Sequence, residues 1–210
     1  MIETNKIICG DALEELKKLP DNSIDLILTD PPYPDYHTEI YGYKKELITV
    51  LNKFKCPQLI FWSSKVDFPL DYTAIHIWDK KVGCGSQYER IFERSGGKEY
   101  KVFRCYLINS TVAKSYHGLG EEYTAHPSQK PIKLIRELIL KYTKEGDIIL
   151  DPYMGTGVVP LVCKQLKRKY IGIEINPEYY KIAKKRLAQS NLLDLNLNKV
   201  KLGYEGEELR

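Results

Sequence analysis

The tetrapeptide Asp30-Pro31-Pro32-Tyr33 contains the residue types that most clearly suggest chemistry. The Asp30 carboxylate and the Pro31 carbonyl are hydrogen-bond acceptors, and the two prolines fix φ near about −65° while contributing no N–H donors. Tyr33 adds an aromatic face on which a flat ligand could stack. The tetrapeptide therefore predicts a stiff pair of acceptors beside an aromatic platform, suited to a planar group that carries N–H donors.

A second motif, Tyr153-Met154-Gly155-Thr156-Gly157, follows an apolar run and precedes an apolar helical segment. Its glycines let a ligand approach the backbone closely, and the amino end of the following helix favours negatively charged groups. Glu174 ends the next apolar run, 17 residues after Gly157, a spacing at which a carboxylate reaches ribose hydroxyls. The loop alone also fits an ordinary strand-to-helix turn, and the combination is compatible with a dinucleotide or with S-adenosylmethionine.

The dinucleotide interpretation is disfavoured by one position. The dinucleotide fingerprint requires a third glycine where Pro160 stands, and no second nucleotide-binding half is evident in the chain. A dehydrogenase is therefore a poor fit to the sequence.

The surrounding sequence predicts alternating strands and helices that would position these motifs. Ile24–Thr29 and Asp147–Leu150 are typical of strands buried on both faces, and leucines at helical spacing mark Ala12–Leu19. The predicted strands are 6–9, 24–29, 58–63, 73–78, 147–150 and 170–175, and the predicted helices are 12–19, 43–54, 132–142, 158–166 and 177–189.

This alternation predicts an α/β fold with a doubly wound, mostly parallel sheet. In such sheets ligands bind outside the carboxyl ends of the strands. Asp11, Asp30, Asp151 and Glu174 each end or follow a predicted strand, so we expect four carboxylates at one edge of the sheet. The chain is interpreted as a single domain over residues 1–210, with a short hairpin and loop insertion at 81–125 and a polar tail at 191–210.

Taken together, the motifs resemble the amino-methylating DNA methyltransferases, which act on N6 of adenine or N4 of cytosine. Asp30–Tyr33, then HPSQKP at 126–131, DPYMGTG at 151–157 and YIGIEINPEYY at 170–180 occur in the order of the β class. The resemblance covers residues 6–36 and 126–188 well. It implies the Rossmann-like fold of the S-adenosylmethionine-dependent methyltransferases, with S-adenosylmethionine as the methyl donor and no metal.

The resemblance also implies roles for cofactor-binding residues. The loop that matches the family's methionine-binding loop contains Asp151, Tyr153, Gly155, Thr156 and Gly157. Glu174 matches the ribose-binding acid, and Lys130 is the expected partner of the cofactor carboxylate. Asp11 matches the residue beside the adenine amino group, and it is also a suitable helix N-cap for residues 12–19. Tyr153 departs from the phenylalanine that is commoner in the family, although its ring can still cover the cofactor.

The same resemblance makes Asp30, Pro31, Pro32 and Tyr33 the catalytic residues. The lone pair of an exocyclic amino nitrogen is delocalised into the ring, and acceptors for both N–H groups favour a more tetrahedral, more nucleophilic nitrogen. The target base must be flipped out of the duplex to reach such a pocket. Asp30 leans toward N6 of adenine, because N4-cytosine enzymes of the family more often carry serine there; N4 of cytosine is the alternative.

Contacts to the base and to DNA are the least defined part of the sequence. Tyr36, Trp62 and Trp78 are candidates for lining the base pocket, although a core or surface aromatic is the commoner interpretation of each. Residues 81–125 are the candidate target-recognition region, with Arg90 and Arg94 expected to contact DNA. The alternative for this region is a charged hairpin on the surface.

Charge and composition are consistent with a DNA-binding enzyme without requiring one. Residues 1–78 carry a net charge of −4, residues 79–141 of +5 and residues 142–210 of +3, which suggests a localised anion-binding face. The five cysteines form no CxxC pair, so neither a disulfide framework nor a zinc site is expected. No signal peptide or membrane span is expected, and the predicted location is the cytoplasm.

The expected partner is double-stranded DNA. A homodimer, a partner restriction nuclease or a specificity subunit is compatible with the resemblance. Two other functions compete with DNA methylation: a non-catalytic DNA-binding subunit with the same fold, and a methyltransferase of RNA or of protein glutamine. The intact motifs disfavour the first, and Asp30 in place of asparagine disfavours the glutamine enzymes.

Overall fold

The computed structural model describes residues 2–34, 45–80, 88–97, 101–104 and 129–197. Its strands are β1 Lys6–Cys9, β2 Leu26–Thr29, β3 Gln58–Trp62, β4 Ala74–Asp79, β5 Tyr88–Arg94, β6 Val102–Arg104, β7 Ile148–Asp151 and β8 Lys169–Glu174. Its helices are α1 Ala12–Lys18, α2 Lys45–Val50, α3 Ile132–Tyr142, α4 Val158–Gln165 and α5 Pro177–Leu197, with a 3₁₀ turn at Leu51–Lys53.

Within the described residues, eight strands form one sheet in the order β1-β8-β7-β2-β3-β5-β4-β6. Neighbouring strands from β1 to β3 in that order are parallel, and β5 is antiparallel to both β3 and β4. The carboxyl ends of β1, β2, β7 and β8 therefore lie at one edge of the sheet, as the α/β prediction requires.

Strand alternation divides the core into two layers, one on each face of the sheet. Leu26 and Leu28 belong to a cluster that includes residues of α3 and α4, whereas Ile27 belongs to a cluster with Leu16 of α1. Successive side chains of a strand point to opposite faces, so β2 contributes to both clusters and is buried throughout. This arrangement confirms the doubly wound α/β fold.

The segment predicted as a hairpin insertion contributes strands to the sheet itself. β5 and β6 come from this segment. β5 is antiparallel to β4, which precedes the segment, and it also pairs with β3, from Gln58 opposite Arg94 to Trp62 opposite Arg90. β5 therefore has a neighbouring strand on each side. Its apolar residues alternate between the two core layers, with Ile91 in one and Phe92 in the other. Residues 81–87, 98–100 and 105–125 of the proposed recognition region lie outside the described residues.

The last helix is longer than the sequence predicted. α5 continues to Leu197 instead of ending at residue 189, so the first part of the segment expected to be a polar tail is helical. Leucine is a strong helix former, and no glycine or proline interrupts the chain between Pro177 and Gly203. The remainder of the expected tail, residues 198–210, lies outside the described residues.

Candidate active site

The tetrapeptide begins where β2 ends, directly beside the end of β7. Thr29 is the last residue of β2, and its buried hydroxyl donates to Asp151 Oδ1 across 3.0 Å. Asp151 is the last residue of β7, the parallel neighbour of β2. The hydrogen bond therefore fixes the start of the tetrapeptide against the start of the glycine loop, although the two are separated by more than half of the chain.

Both oxygens of the Asp30 carboxylate accept a hydrogen bond from the protein. The Tyr33 hydroxyl donates to Oδ1 across 2.9 Å, and Lys130 Nζ donates to Oδ2 across 2.5 Å. Burial raises the pKa of Asp30 and the nearby Glu89 carboxylate adds to this, while Lys130 acts in the opposite direction. The ion pair with Lys130 stabilises the ionised form of the Asp30 carboxylate at this position.

Lys130 also forms a second ion pair, which continues into a chain of alternating charges. Its Nζ lies 3.2 Å from Glu89 Oε2, and Glu89 Oε1 lies 2.7 Å from Lys80 Nζ. Lys130 is buried and its Nζ lies 5.0 Å from the centre of the Phe61 ring. Asp30, Lys130, Glu89 and Lys80, called here the cavity cluster, thus form a line of two carboxylates and two ammonium groups.

Sequence reasoning missed Glu89. Lys130, which was expected to bind the carboxylate of S-adenosylmethionine, lies beside two carboxylates of the protein, and its contact with the cofactor stays a prediction. Its pKa is raised, because the attraction of Asp30 and Glu89 exceeds the opposing effect of burial. Glu89 gave no local signal, since it lies in a segment noted for basic residues and reaches the site only because β5 pairs with β3.

The glycine loop is organised around the Glu174 carboxylate. Gly155 N–H donates to Oε2 across 2.9 Å, and Asn176 N–H donates to Oε1 across 2.8 Å. Burial raises the pKa of Glu174, and these backbone donors oppose the shift. Each oxygen retains a lone pair that can accept a further hydrogen bond, so the side chain is oriented and still able to bind hydroxyl groups.

Asp151 is buried more completely than Glu174 and its ionisation is more strongly affected. Burial raises the pKa of Asp151 to about 7, while the Tyr153 N–H at 3.1 Å and the Thr29 hydroxyl partly stabilise the ionised form. Asp30 and Glu174 add to the upward shift through their charges. A cationic ligand group beside Asp151 would remove much of this penalty.

Two glycines are required for the loop to lie where it does. Gly157 adopts a φ of 81°, and a Cβ at this position would lie 2.8 Å from Ala183 Cβ in α5. Gly172 in β8 lies under the loop, and a Cβ there would lie 2.5 Å from Met154 Sδ. The loop is therefore packed between α5 and β8 with no room for side chains at these points.

A buried polar contact closes the other side of the loop. Thr156 Oγ1 donates to Gln129 Oε1 across 3.0 Å, and Arg186 Nη1 donates to the same oxygen across 3.1 Å. Arg186 comes from α5 and is 3% exposed, and no sequence motif indicated this role. The segment that precedes α3 is thus fastened to the glycine loop, which places Lys130 opposite Asp30.

One cavity joins these groups. Among the residues predicted to be catalytic or to bind the cofactor, all but Asp11 and Gly157 line it: Asp30, Pro31, Pro32, Tyr33, Lys130, Asp151, Tyr153, Gly155, Thr156 and Glu174. Asp11 caps α1, where its Oδ1 accepts from the backbone of Leu13 across 2.9 Å. The cavity therefore brings the acceptor pair, the aromatic platform and the glycine loop into a single site.

Comparison with known proteins identifies the family of the chain. The family model N6_N4_Mtase, described as a DNA methylase, matches residues 36–185.

The chain belongs to the N6/N4 DNA methylase family.

Two relatives show which enzymes the chain resembles. The chain is 30% identical to the Type II methyltransferase M.HpaI of Haemophilus parainfluenzae, over 87% of this chain and 74% of that protein. It is 29% identical to the DNA adenine methyltransferase YhdJ of Escherichia coli K12, over 88% of this chain and 83% of that protein.

Solved structures support the same conclusion. The M1.HpyAVI–SAM complex has a TM-score of 0.61 at 26% identity, with 87% of this chain and 99% of that chain covered. The cytosine-N4-specific PvuII DNA methyltransferase has a TM-score of 0.64 at 18% identity, with 95% and 97% covered, and shows a shared fold. The protein is thus an S-adenosylmethionine-dependent DNA methyltransferase, related to enzymes of Type II restriction-modification systems.

The residues present fit S-adenosylmethionine. Glu174 offers two oriented oxygens to a ribose, and Asp151 offers a buried carboxylate to an ammonium group. Within the described ranges no group of three histidine, cysteine or acidic side chains is placed to hold a metal ion. In those same ranges no helix is both long and apolar enough to span a membrane.

The aromatic residues predicted to line the base pocket lie in different places. Trp62 is buried and packs edge-on against Tyr33, with ring centres 5.5 Å apart, so it supports the tetrapeptide from behind. Trp78 is buried in the core and does not line the cavity, because β4 is separated from β3 by β5. Tyr36 lies outside the described residues.

The two arginines expected at the DNA make contacts within the protein. Arg90 donates to the carbonyls of Ser63 and Val66, each across 2.5 Å. Arg94 donates to the Asp71 carbonyl across 2.8 Å and to Gln58 Oε1 across 2.7 Å. Both guanidinium groups brace the segment between β3 and β4, since the pairing of β5 with β3 brings them beside it, and the structure gives no support to their role as DNA contacts.

Proposed function

We propose that this DNA methyltransferase transfers the methyl group of S-adenosylmethionine to the exocyclic N6 of adenine in double-stranded DNA. The observation that carries the proposal is the single cavity that Asp30–Tyr33 shares with Asp151, Gly155 and Glu174. The hydrogen bond from Thr29 to Asp151 couples the two halves of this cavity directly.

The tetrapeptide would activate the amino group by accepting its hydrogens. The Asp30 carboxylate accepts one N–H and the Pro31 carbonyl accepts the other, which favours a tetrahedral nitrogen with a localised lone pair. Preorganised acceptors of this kind are effective because they need no rearrangement when charge develops. The prolines add stiffness and no competing donors. Asp30 also accepts the proton that the nitrogen loses.

Lys130 and Tyr33 prepare Asp30 for this role. Lys130 provides the nearby positive charge that favours the ionised carboxylate despite its burial. The Tyr33 hydroxyl fixes the second oxygen, and the Tyr33 ring, supported by Trp62, is a platform for the face of the target base. A base inside a duplex cannot reach the cavity, so the base is flipped out at a cost of a few kcal/mol.

The remaining wall of the cavity is assigned to the cofactor. Glu174 accepts from the ribose hydroxyls, Asp151 faces the ammonium group, and Gly155 keeps the backbone close to the ligand. Tyr153 and Thr156 complete this wall. When bound, S-adenosylmethionine supplies the methyl group, whose bond to sulfur breaks with the electron pair staying on sulfur as the bond to nitrogen forms.

Adenine is favoured over cytosine on two grounds. Asp30 occupies the position at which the N4-cytosine enzymes of the family more often carry serine. The relative YhdJ is named a DNA adenine methyltransferase. The likeness to the cytosine-specific PvuII enzyme is a likeness of fold at 18% identity, so N4 of cytosine stays the alternative product.

The relatives also suggest a setting for the reaction. A Type II relationship favours a partner restriction nuclease that cuts the same DNA site, and action in the cytoplasm of a bacterium. A homodimer is proposed by family resemblance alone. The recognition of the DNA site is assigned to the part of residues 81–125 that lies outside the described residues.

The test measures label transferred from radioactive S-adenosylmethionine to DNA, RNA and protein, for the wild type, Asp30→Ala and the control Asp21→Ala. Asp21 is an exposed acid outside the cavity, so its loss leaves activity intact. We expect label in DNA that falls by roughly a thousandfold in Asp30→Ala. Digestion and mass spectrometry of the DNA then give N6-methyladenine; N4-methylcytosine alone would refute the adenine assignment, and undiminished label in Asp30→Ala would refute the mechanism.

A further inference from the structure

Glu89 lies beside the proposed catalytic carboxylate without an assigned role. It is the second residue of β5, and its side chain is only 17% exposed. Its two oxygens face two different lysines, Lys80 at 2.7 Å and Lys130 at 3.2 Å. The attraction of these lysines overcomes the upward effect of burial and lowers the pKa of Glu89. Glu89 is therefore ionised at neutral pH, next to the site.

The position of Glu89 means that Lys130 is shared. Lys130 Nζ lies between Asp30 Oδ2 at 2.5 Å and Glu89 Oε2 at 3.2 Å. An ammonium group that serves two carboxylates neutralises each of them less completely than one that serves a single carboxylate. Without Glu89, Lys130 would be free to pair with Asp30 alone, and Asp30 would become a weaker acceptor for the N–H of a base.

We propose that Glu89 is a positioning residue for methyl transfer, which holds Lys130 in a shared position and thereby sets the strength of Asp30 as a hydrogen-bond and proton acceptor. The proposal rests on the proposed function, since it takes Asp30 as the acceptor. Lys80 has the opposite influence, because it attracts Glu89 and so weakens the hold of Glu89 on Lys130.

The charged and titratable groups around Asp30 come from four parts of the fold. Lys130 precedes α3, Glu89 comes from β5, Asp151 ends β7, and Tyr33 belongs to the tetrapeptide itself. Lys80, after β4, acts through Glu89. Removal of Glu89 or Lys80 alters Asp30 without removing a group that hydrogen-bonds to it, which makes these two positions informative.

Loss of Glu89 and loss of Lys80 are expected to shift the pH dependence of kcat in opposite directions. Methyl transfer requires ionised Asp30, so the acid limb of kcat follows its pKa. Glu89→Gln removes a neighbouring negative charge and leaves Lys130 to Asp30, so the limb moves to lower pH. Lys80→Met strengthens the pull of Glu89 on Lys130, so the limb moves to higher pH. Shifts of about half a pH unit or more are expected in each direction.

The experiment uses the DNA that accepts label in the preceding test. It measures kcat for methylation of this DNA as a function of pH, together with the KM for S-adenosylmethionine. In Glu89→Gln we expect kcat on the plateau to fall roughly tenfold with the KM nearly unchanged. The matched control is Glu93→Gln, the same chemical change on the same strand, at a carboxylate that contacts His76 and Tyr142 near the other end of the strand. That control is expected to lower stability and leave the acid limb in place.

Each outcome decides the proposal. Opposite shifts of the acid limb in Glu89→Gln and Lys80→Met support it. An unmoved limb in both folded variants, or a shift in Glu93→Gln equal to that in Glu89→Gln, overturns it. If Glu89→Gln does not fold, the upward shift in Lys80→Met carries the test alone. Asp30→Ala in the same assay separates the failures, because activity that survives it refutes the proposed function and not merely the role of Glu89.

Discussion

Strand β5 carries two glutamates of low solvent exposure that lie four residues apart on the same face of the sheet. Glu89 joins the cavity cluster with Lys80, Lys130 and Asp30. Glu93 is 1% exposed and its Oε2 contacts His76 Nε2 at 2.7 Å and the hydroxyl of Tyr142. His76, Glu93 and Tyr142 are called here the core triad. One strand therefore holds a charged group at a ligand cavity and another that is sealed in the core.

The direction of β5 explains the difference. Because β5 is antiparallel to β3, its beginning lies at the edge where the parallel strands end, and its end lies at the opposite edge. Ligands bind at the carboxyl ends of parallel strands, so Glu89 lies at the cavity edge of the sheet, where it pairs with the cavity residue Lys130, and Glu93 lies at the other edge. The cavity cluster consists of ion pairs at and beside the cavity. The core triad links β4, β5 and α3 by hydrogen bonds.

The largest effect is expected when the shared cation is removed from the cavity cluster. Lys130→Met removes the cation that Asp30 and Glu89 share, so Asp30 takes up a proton and ceases to accept. We expect kcat to fall by roughly a hundredfold or more. The control Lys133→Met changes an exposed lysine on the first turn of α3 and is expected to have full activity. Equal rates for the two variants in the DNA methylation assay would contradict the role given to Lys130.

The core triad is expected to affect stability and not turnover. Burial lowers the pKa of His76, so the folded state favours the neutral ring. Its contribution to stability is complete above the unfolded pKa of about 6.5 and is lost as the pH falls below that value. His76→Gln should cost roughly 2–3 kcal/mol at neutral pH and abolish this part of the pH dependence, as measured by urea unfolding.

Tyr142→Phe provides a graded comparison for the same triad. It removes one hydroxyl and should cost about 1 kcal/mol. If either variant lowered kcat strongly while remaining folded, the separation between the core triad and the cavity cluster would be wrong.

Cofactor affinity should depend on pH through Asp151. Its pKa of about 7 means that the free protein holds a proton there in mildly acidic solution. Binding of an ammonium group favours the ionised carboxylate, so affinity should fall by up to about tenfold for each pH unit below 7. Calorimetric titration with S-adenosylmethionine measures this, and Asp151→Asn should bind more weakly with a flatter profile. A steep profile retained in Asp151→Asn would assign the dependence elsewhere.

The smallest effect is expected at the far end of β5. Arg94→Gln removes donors to Asp71 and Gln58 in a partly exposed place, and should cost about 1 kcal/mol of stability. DNA affinity should be unchanged, because these contacts occupy the guanidinium within the protein. Weaker DNA binding by a stably folded Arg94→Gln protein would restore the original expectation that this residue faces DNA.

The site was predictable where its residues follow the buried parallel strands. Asp30, Asp151 and Glu174 each mark a strand end, and the alternation of strands and helices places such ends at one edge. The aromatic and basic residues between β3 and α3 were less predictable. The local sequence around Trp78 does not distinguish it from Trp62, and that around Arg90 does not distinguish it from a surface arginine. Only the strand order shows which of these residues lies in the core and which lies near the cavity.

The sequence by itself determined the α/β class, the acceptor tetrapeptide and the glycine loop, because each depends on local backbone chemistry or on the short-range spacing of apolar residues. The tertiary structure decided which charges meet. Lys130 pairs with Asp30 across 100 positions of the chain, and Glu89 reaches Lys130 only because β5 enters the sheet between β3 and β4. Such contacts depend on strand order and direction, which no local pattern in the chain encodes.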